Sequence, residues 1–165
     1  MTIGLKWFIG FSLAVSLYFW WKYYRYMSTR EFKYFSFSEF DSPDQPGSGA
    51  QHMSADFIHK LDNIRECAGF PFLISSGYRT PEHNERVGGV ANSSHLNGLA
   101  ADISAPTTAM RDAIVECAAA NGIKRIGYGN TFIHLDVDQD KPQYAIWGYS
   151  NSSAPNRVSV WPELA

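Results

Sequence analysis

The sequence predicts an α+β domain that follows an apolar N-terminal segment. Helix-period and strand-period hydrophobic patterns are interleaved along one stretch of chain, and the last strand-like runs lie close enough in sequence to pair as a hairpin. The N-terminal part stands apart, because Trp7 to Trp21 reads WFIGFSLAVSLYFWW and carries no charge.

Extending that run back to Ile3 admits only Lys6, whose ammonium can snorkel to the headgroups. The run then clears the lower limit of roughly 17 residues for a membrane-spanning helix. Trp20, Trp21, Tyr23, Tyr24 and Tyr26 gather at one end, as an interfacial aromatic belt does. The rival is a cleavable signal peptide, but a cut near Ala14-Val15-Ser16 would leave LYFWW as the new terminus. The expected organisation is a single-pass anchor and juxtamembrane segment over 1–30, a folded domain over 31–149 and a loose tail over 150–165. Lys22, Arg25, Arg30 and Lys33 all follow the apolar run. The positive-inside tendency therefore favours a cytoplasmic domain.

The chain has 165 residues, 45% hydrophobic and 18% charged, which is the composition of a globular protein with room for one domain. The formal net charge is -2 and the basic residues are scattered, so no nucleic-acid partner is expected. Cys67 and Cys117 lack CxxC spacing and are not expected to bind metal. Buried free thiols are expected in preference to a disulfide.

Within the domain, Phe32 to Phe40 (FKYFSFSEF) alternates aromatic and polar residues, compatible with an edge strand or an extended arm. Asp41 to Ala50 is rich in Pro, Gly and Ser and reads as a loop. Ser54 is placed as an N-cap, with helical spacing through Phe57, Ile58, Leu61, Ile64 and Ala68 and a stop at Gly69. Phe70 to Ser75 suits a short buried strand, and Gly77 to Ser94 a long surface loop of the kind that is usually functional. Ala100 to Ile103 reads as a strand, and a helix follows Thr107-Thr108 through Met110, Ile114 and Cys117 to Gly122. Strands near 125–128 and 132–137 complete the domain.

The chemistry-bearing segment is Ser93 to Asp102, SSHLNGLAAD. Gly98 permits a tight reversal between His95 and Asp102, and Ala100 and Ala101 leave space around them. An imidazole and a carboxylate are both zinc ligands, and a third is needed. His134 in FIHLDV is the best candidate: on a strand, Phe132, His134 and Asp136 share one face and Ile133, Leu135 and Val137 the other. Three protein ligands with one open position is the catalytic zinc arrangement. His52, His59 and His83 have no partner at ligand spacing and are read as ordinary surface or helix residues.

Ser93-x-His95-x-x-Gly98-x-Ala100-x-Asp102 matches the SxHxxGxAxD signature of the zinc D-alanyl-D-alanine carboxypeptidases, a family that shares its fold with the Hedgehog signalling domain. Average composition would place these residues by chance in roughly one chain in ten thousand of this length. The segment Ser75-Ser76-Gly77-Tyr78-Arg79, then Gly88-Gly89-Val90, then His134, follow the family order, and the likeness runs from about Phe37 to Tyr149. The DSPD…PGSG opening resembles short members encoded by bacteriophages.

The resemblance implies a DD-peptidase-like antiparallel sheet with packed helices, one zinc ion on His95, Asp102 and His134, and a substrate-binding set of Arg79, Ser76, Tyr78 and Ser93. Arg79 would pair with a carboxylate or with the negative charge that develops in the reaction. Where many members carry an acidic residue or a His as general base, three positions before the last metal His, this chain has Thr131. Asp136 is then either the replacement base or a residue that orients His134. The implied substrate is a peptidoglycan stem or cross-link peptide on the wall side of the membrane, opposite to what the flanking charges favour. The alternatives are a zinc-containing cell-wall binding module without turnover and a small membrane lysis or assembly protein.

Overall fold

The computed structural model describes residues 32–149 and 152–164. The expected anchor over 1–30 lies outside the described residues, among which no helix is long and apolar enough to cross a membrane.

The aromatic segment is an arm, not an edge strand. The Lys33 and Tyr34 N–H groups donate to the two carboxylate oxygens of Asp62 at 2.8 and 3.0 Å, so a helix side chain supplies what a neighbouring strand would have. A 3-10 turn over Phe37–Phe40 then carries Phe40 fully into the core. The expected loop after it contains a short helix, α1 (Ser48–His52), whose start is held by Asp41 accepting from the Gly47 and Gly49 N–H groups, each at 2.7 Å.

Helix α2 (Ala55–Ala68) begins and ends where the sequence places it. Ser54 accepts from the Phe57 N–H at its start, and Gly69 closes it in the left-handed region at φ 75°. Strand β1 is shorter and later than expected (Ile74–Ser76), since Pro71 has no N–H to give a sheet. The predicted surface loop after it is partly helical: Thr80 caps α3 (Pro81–Arg86), with proline at the position that favours it. Strand β2 (Ala100–Ser104) leads to α4 (Thr108–Ala120), capped by Thr107. Strands β3 (Arg125–Tyr128) and β4 (Phe132–Asp136) follow, and then β5 (Ala145–Gly148), which the sequence reading does not contain.

The five strands lie in the order β1-β2-β4-β3-β5. All neighbours are antiparallel except β3 and β5, so the sheet is mixed where an antiparallel one was expected. One face presents Ala101, Ile103, Ile133, Leu135, Ile126 and Tyr128, all buried, to the core built on α2 and α4. The alternation of β4 is thus confirmed: Ile133 and Leu135 point inward, which leaves the opposite face for His134 and Asp136.

Two further expectations are overturned. Cys67 and Cys117 form a disulfide that ties α2 to α4 across 50 residues of chain. Each reads in isolation as a thiol at a helix end, and only the packing of the two helices against each other brings them together. The described part of the tail is docked, not loose: α5 (Arg157–Val160) and a 3-10 turn at Pro162–Leu164 bracket Trp161, which is 2% exposed. Its indole N–H donates to the Ile123 carbonyl at 3.2 Å.

Candidate metal centre

A single row of cross-strand neighbours builds the site floor. Ser76, Asp102, His134, Gly127 and Trp147 are successive partners across all five strands. Directly opposed residues share a sheet face, so this row stands on the side away from the core. The adjacent row on the same face holds Ala100, Asp136, Arg125 and Ala145.

His95 reaches this floor from above, on a 3-10 turn over Ser94–Asn97. Ser93 caps the turn by accepting from the His95 N–H, and Gly98 ends it at φ 65°. A Cβ on Gly98 would stand 1.9 Å from the His52 carbonyl oxygen. Glycine is therefore required twice over, for its left-handed backbone and for close approach to the end of α1. This is the physical content of the motif glycine.

Three ligand atoms converge. His95 Nε2 lies 3.2 Å from His134 Nδ1 and 3.3 Å from Asp102 Oδ1, and His134 Nδ1 lies 2.8 Å from Asp102 Oδ1. Tetrahedral zinc with bonds near 2.0–2.1 Å separates its ligand atoms by about 3.3 Å, so the triangle has the size the ion demands. The second nitrogen of each imidazole is also engaged. His95 Nδ1 is 2.6 Å from the Gly77 carbonyl, which fixes it as the N–H and leaves Nε2 as the lone pair. His134 Nε2 is 3.2 Å from Asp136 Oδ2, which likewise leaves Nδ1 for a metal. His95, Asp102 and His134 are all buried, and together they form the group suited to hold a metal ion.

Burial pushes the His95 pKa down, as a neutral ligand requires. Burial acts in the same direction on His134, but hydrogen bonds to Asp102 and Asp136 override it and the net shift is upward. For Asp102, burial raises the pKa, whereas hydrogen bonds from His134 and His95 hold it well below the carboxylate range. Asp136 is also burdened by burial, yet His134 and Arg125 lower it, so both carboxylates of the site are anions.

The family model for Peptidase M15 matches residues 33–136, well over half of the chain. The chain belongs to the Peptidase M15 family. No curated protein matches it. M15 peptidases are zinc-dependent metallopeptidases, and the His95, Asp102 and His134 triangle provides the donor set that such an ion takes.

In this M15 domain the triangle opens into a cavity of about 530 Å³ lined also by Arg79, Ser93, Phe132, Trp147 and Tyr149. A second cavity of about 350 Å³ shares Arg79, Asp102 and Phe132 with it and adds Ser75, Ser76, His83 and Thr131. Arg79 donates to Asp102 Oδ2 at 2.6 Å and to Ser76 Oγ at 2.7 Å, so two residues named from the sequence meet at the ligand set. Tyr78 does not line either cavity. It is 8% exposed, belongs to the core cluster and stacks on His52 with ring centroids 4.3 Å apart. On an extended backbone neighbouring side chains point to opposite sides, so Arg79 and Tyr78 diverge.

Asp136 is 1% exposed, with Oδ2 at His134 and Oδ1 accepting from Arg125 Nε at 2.8 Å. Of its two expected roles the contacts are those of the orienting one. Sequence reasoning missed Arg125, Lys141, Trp147 and Tyr149, which all line the main cavity. The alternation of Trp147 and Tyr149 about Gly148 was the available signal, hidden by the Pro- and Gly-containing segment around it.

Proposed function

We propose that this chain hydrolyses amide bonds in peptidoglycan stem or cross-link peptides. The observation that carries the proposal is the buried triangle of two imidazole nitrogens and one carboxylate oxygen, sized for zinc and facing a cavity. When bound there, zinc supplies Lewis-acid chemistry, polarising a peptide carbonyl and making water more acidic. The protein residues do the rest. Asp136 and the Gly77 carbonyl hold the two imidazoles in the ligating tautomers, and Arg79 fixes the Asp102 carboxylate. Ser76 and Ser93 offer hydroxyls at the cavity edge.

The test is digestion of purified peptidoglycan by the full chain in detergent, with and without chelator, beside His95→Ala. Chelator-sensitive release of products, lost in the variant, is expected. Free D-alanine identifies carboxypeptidase action, and muropeptide fragments resolved by mass identify endopeptidase action.

Thr131 supports a second reading, a zinc-containing wall-binding module without turnover, because this exposed hydroxyl stands where an acidic base is common. Zinc binding and wall binding with no product would favour it.

We also place the domain on the wall side of the membrane, in a phage-encoded protein that opens the wall during infection or release. The Cys67–Cys117 disulfide supports this side, because such bonds persist in oxidising compartments. An anchor would then hold the enzyme at high local substrate concentration. Maleimide labelling of both cysteines in intact cells, without prior reduction, would count against this side.

A further inference from the structure

We propose that Tyr149 is a catalytic residue, donating its phenolic hydrogen bond to the scissile carbonyl oxygen as negative charge develops on it. The proposal rests on the reading of this site as a peptide-hydrolysing centre and names a role that neither the motif nor the family match assigns.

The cationic groups lining the cavity are already engaged. Arg79 is held by Asp102 Oδ2 at 2.6 Å and Ser76 Oγ at 2.7 Å. Arg125 is held by Asp136 Oδ1 at 2.8 Å and by the Pro142 carbonyl. Lys141 donates to Ser94 Oγ at 2.8 Å and lies 3.6 Å from Asp138. Each of these cations is already paired with a carboxylate, which offsets the charge it could offer a developing oxyanion.

Tyr149 differs. Its phenol interacts with the Trp147 side chain, whose only polar group, the indole N–H, can donate but not accept. An indole can only donate, so the phenol's own proton is not given to Trp147. Among the described residues no hydrogen bond takes that proton.

The ring is also fixed in place. The Tyr149 N–H donates to the Tyr128 carbonyl at 2.9 Å, which continues the register of β5 along β3. The ring packs with centroids 5.1 Å from Phe132 and 6.3 Å from His134. It occupies space left by Gly127, where a Cβ would come within 2.5 Å of Tyr149 Cε2. A pre-positioned neutral donor at the wall of the cavity is the arrangement that stabilises developing charge without reorganisation. A phenol keeps its proton at neutral pH, so the donor is present there.

In the reaction, water adds across the amide: a C–O bond forms, the C–N bond breaks and the leaving nitrogen takes up a proton. Tyr149 keeps its own proton and lends only a hydrogen bond.

The experiment compares the zinc-loaded full chain with Tyr149→Phe, which retains the ring and its packing. It measures turnover of peptidoglycan peptides, zinc content, thermal midpoint and affinity for the phosphinate isostere of D-alanyl-D-alanine, a tetrahedral anion. Expected is a fall in kcat of about 10²–10³-fold with KM within about threefold, the scale for one lost oxyanion donor. Zinc content and midpoint should be unchanged, and phosphinate affinity should fall at least about tenfold. Turnover within about threefold of wild type overturns the inference while leaving the peptidase reading intact. So does a kcat loss that tracks zinc loss, or one with unchanged phosphinate affinity. A wild-type chain that cuts nothing overturns both.

Discussion

Asp136 Oδ2 stands 3.2 Å from His134 Nε2, on the far edge of the ring from the nitrogen that faces Asp102 and His95. The carboxylate is in turn held by Arg125, so a buried Arg125–Asp136–His134 chain sets the orientation of one ligand. Residues placed in this way typically contribute 10–100-fold to metal affinity. Asp136→Asn is therefore expected to weaken zinc binding by about that factor, measured by competition with a chromophoric chelator. A variant with wild-type zinc affinity and much reduced kcat would instead mark Asp136 as the base.

Gly127 stands in the ligand row, between His134 and Trp147. A Cβ there would come 2.5 Å from Tyr149 Cε2 and 3.0 Å from both His134 Cβ and Trp147 Cε2. Gly127→Ala should displace all three side chains, costing about 1–3 kcal/mol of stability as overpacking does. Zinc affinity should fall with it, whereas Gly69→Ala, at a helix end with open space around it, should spare the metal site. Chemical denaturation and zinc titration of both variants check this.

The Cys67–Cys117 bond closes a loop spanning 50 residues that contains β1, α3, β2 and most of α4. Chain entropy alone assigns such a closure about 4 kcal/mol, near the upper end of the usual range. Thermal unfolding with and without reductant, and of Cys67→Ser/Cys117→Ser, should show a loss of about 2–4 kcal/mol. Equal stability in both states would show that helix packing by itself holds α2 against α4.

Asp44 ties the segment before α1 to α3. Its carboxylate accepts from Ser42 Oγ at 2.6 Å, Thr80 Oγ1 at 2.8 Å and Arg86 at 2.7 Å. These bonds, Ser42 first, lower its pKa from 3.8 to about 2. A depressed folded-state value means the contribution is complete above the unfolded pKa near 4 and is lost as pH falls through about 2. Stability should therefore decline with acid across that window, and Asp44→Asn should flatten this part of the profile. Denaturation midpoints measured from pH 5 to 2 give the comparison.

The sequence by itself determined the candidate ligand set and the elements that bear it. His95, Gly98 and Asp102 fall within one short motif, where a capped turn and a glycine reversal are local matters. His134 was legible because strand alternation assigns Ile133 and Leu135 to the core and leaves His134 opposite. The caps at Ser54, Gly69 and Thr107 were equally local, and they bound α2 and α4 where expected. Tertiary structure decided what depends on neighbours distant in sequence. The pairing of β5 with β3 brought Trp147 and Tyr149 to the cavity, and the packing of α2 on α4 joined the cysteines. The Arg125 partner of Asp136, the inward turn of Tyr78 and the burial of Trp161 belong with these. Periodicity states which residues share a face, but only the packed fold decides what that face meets.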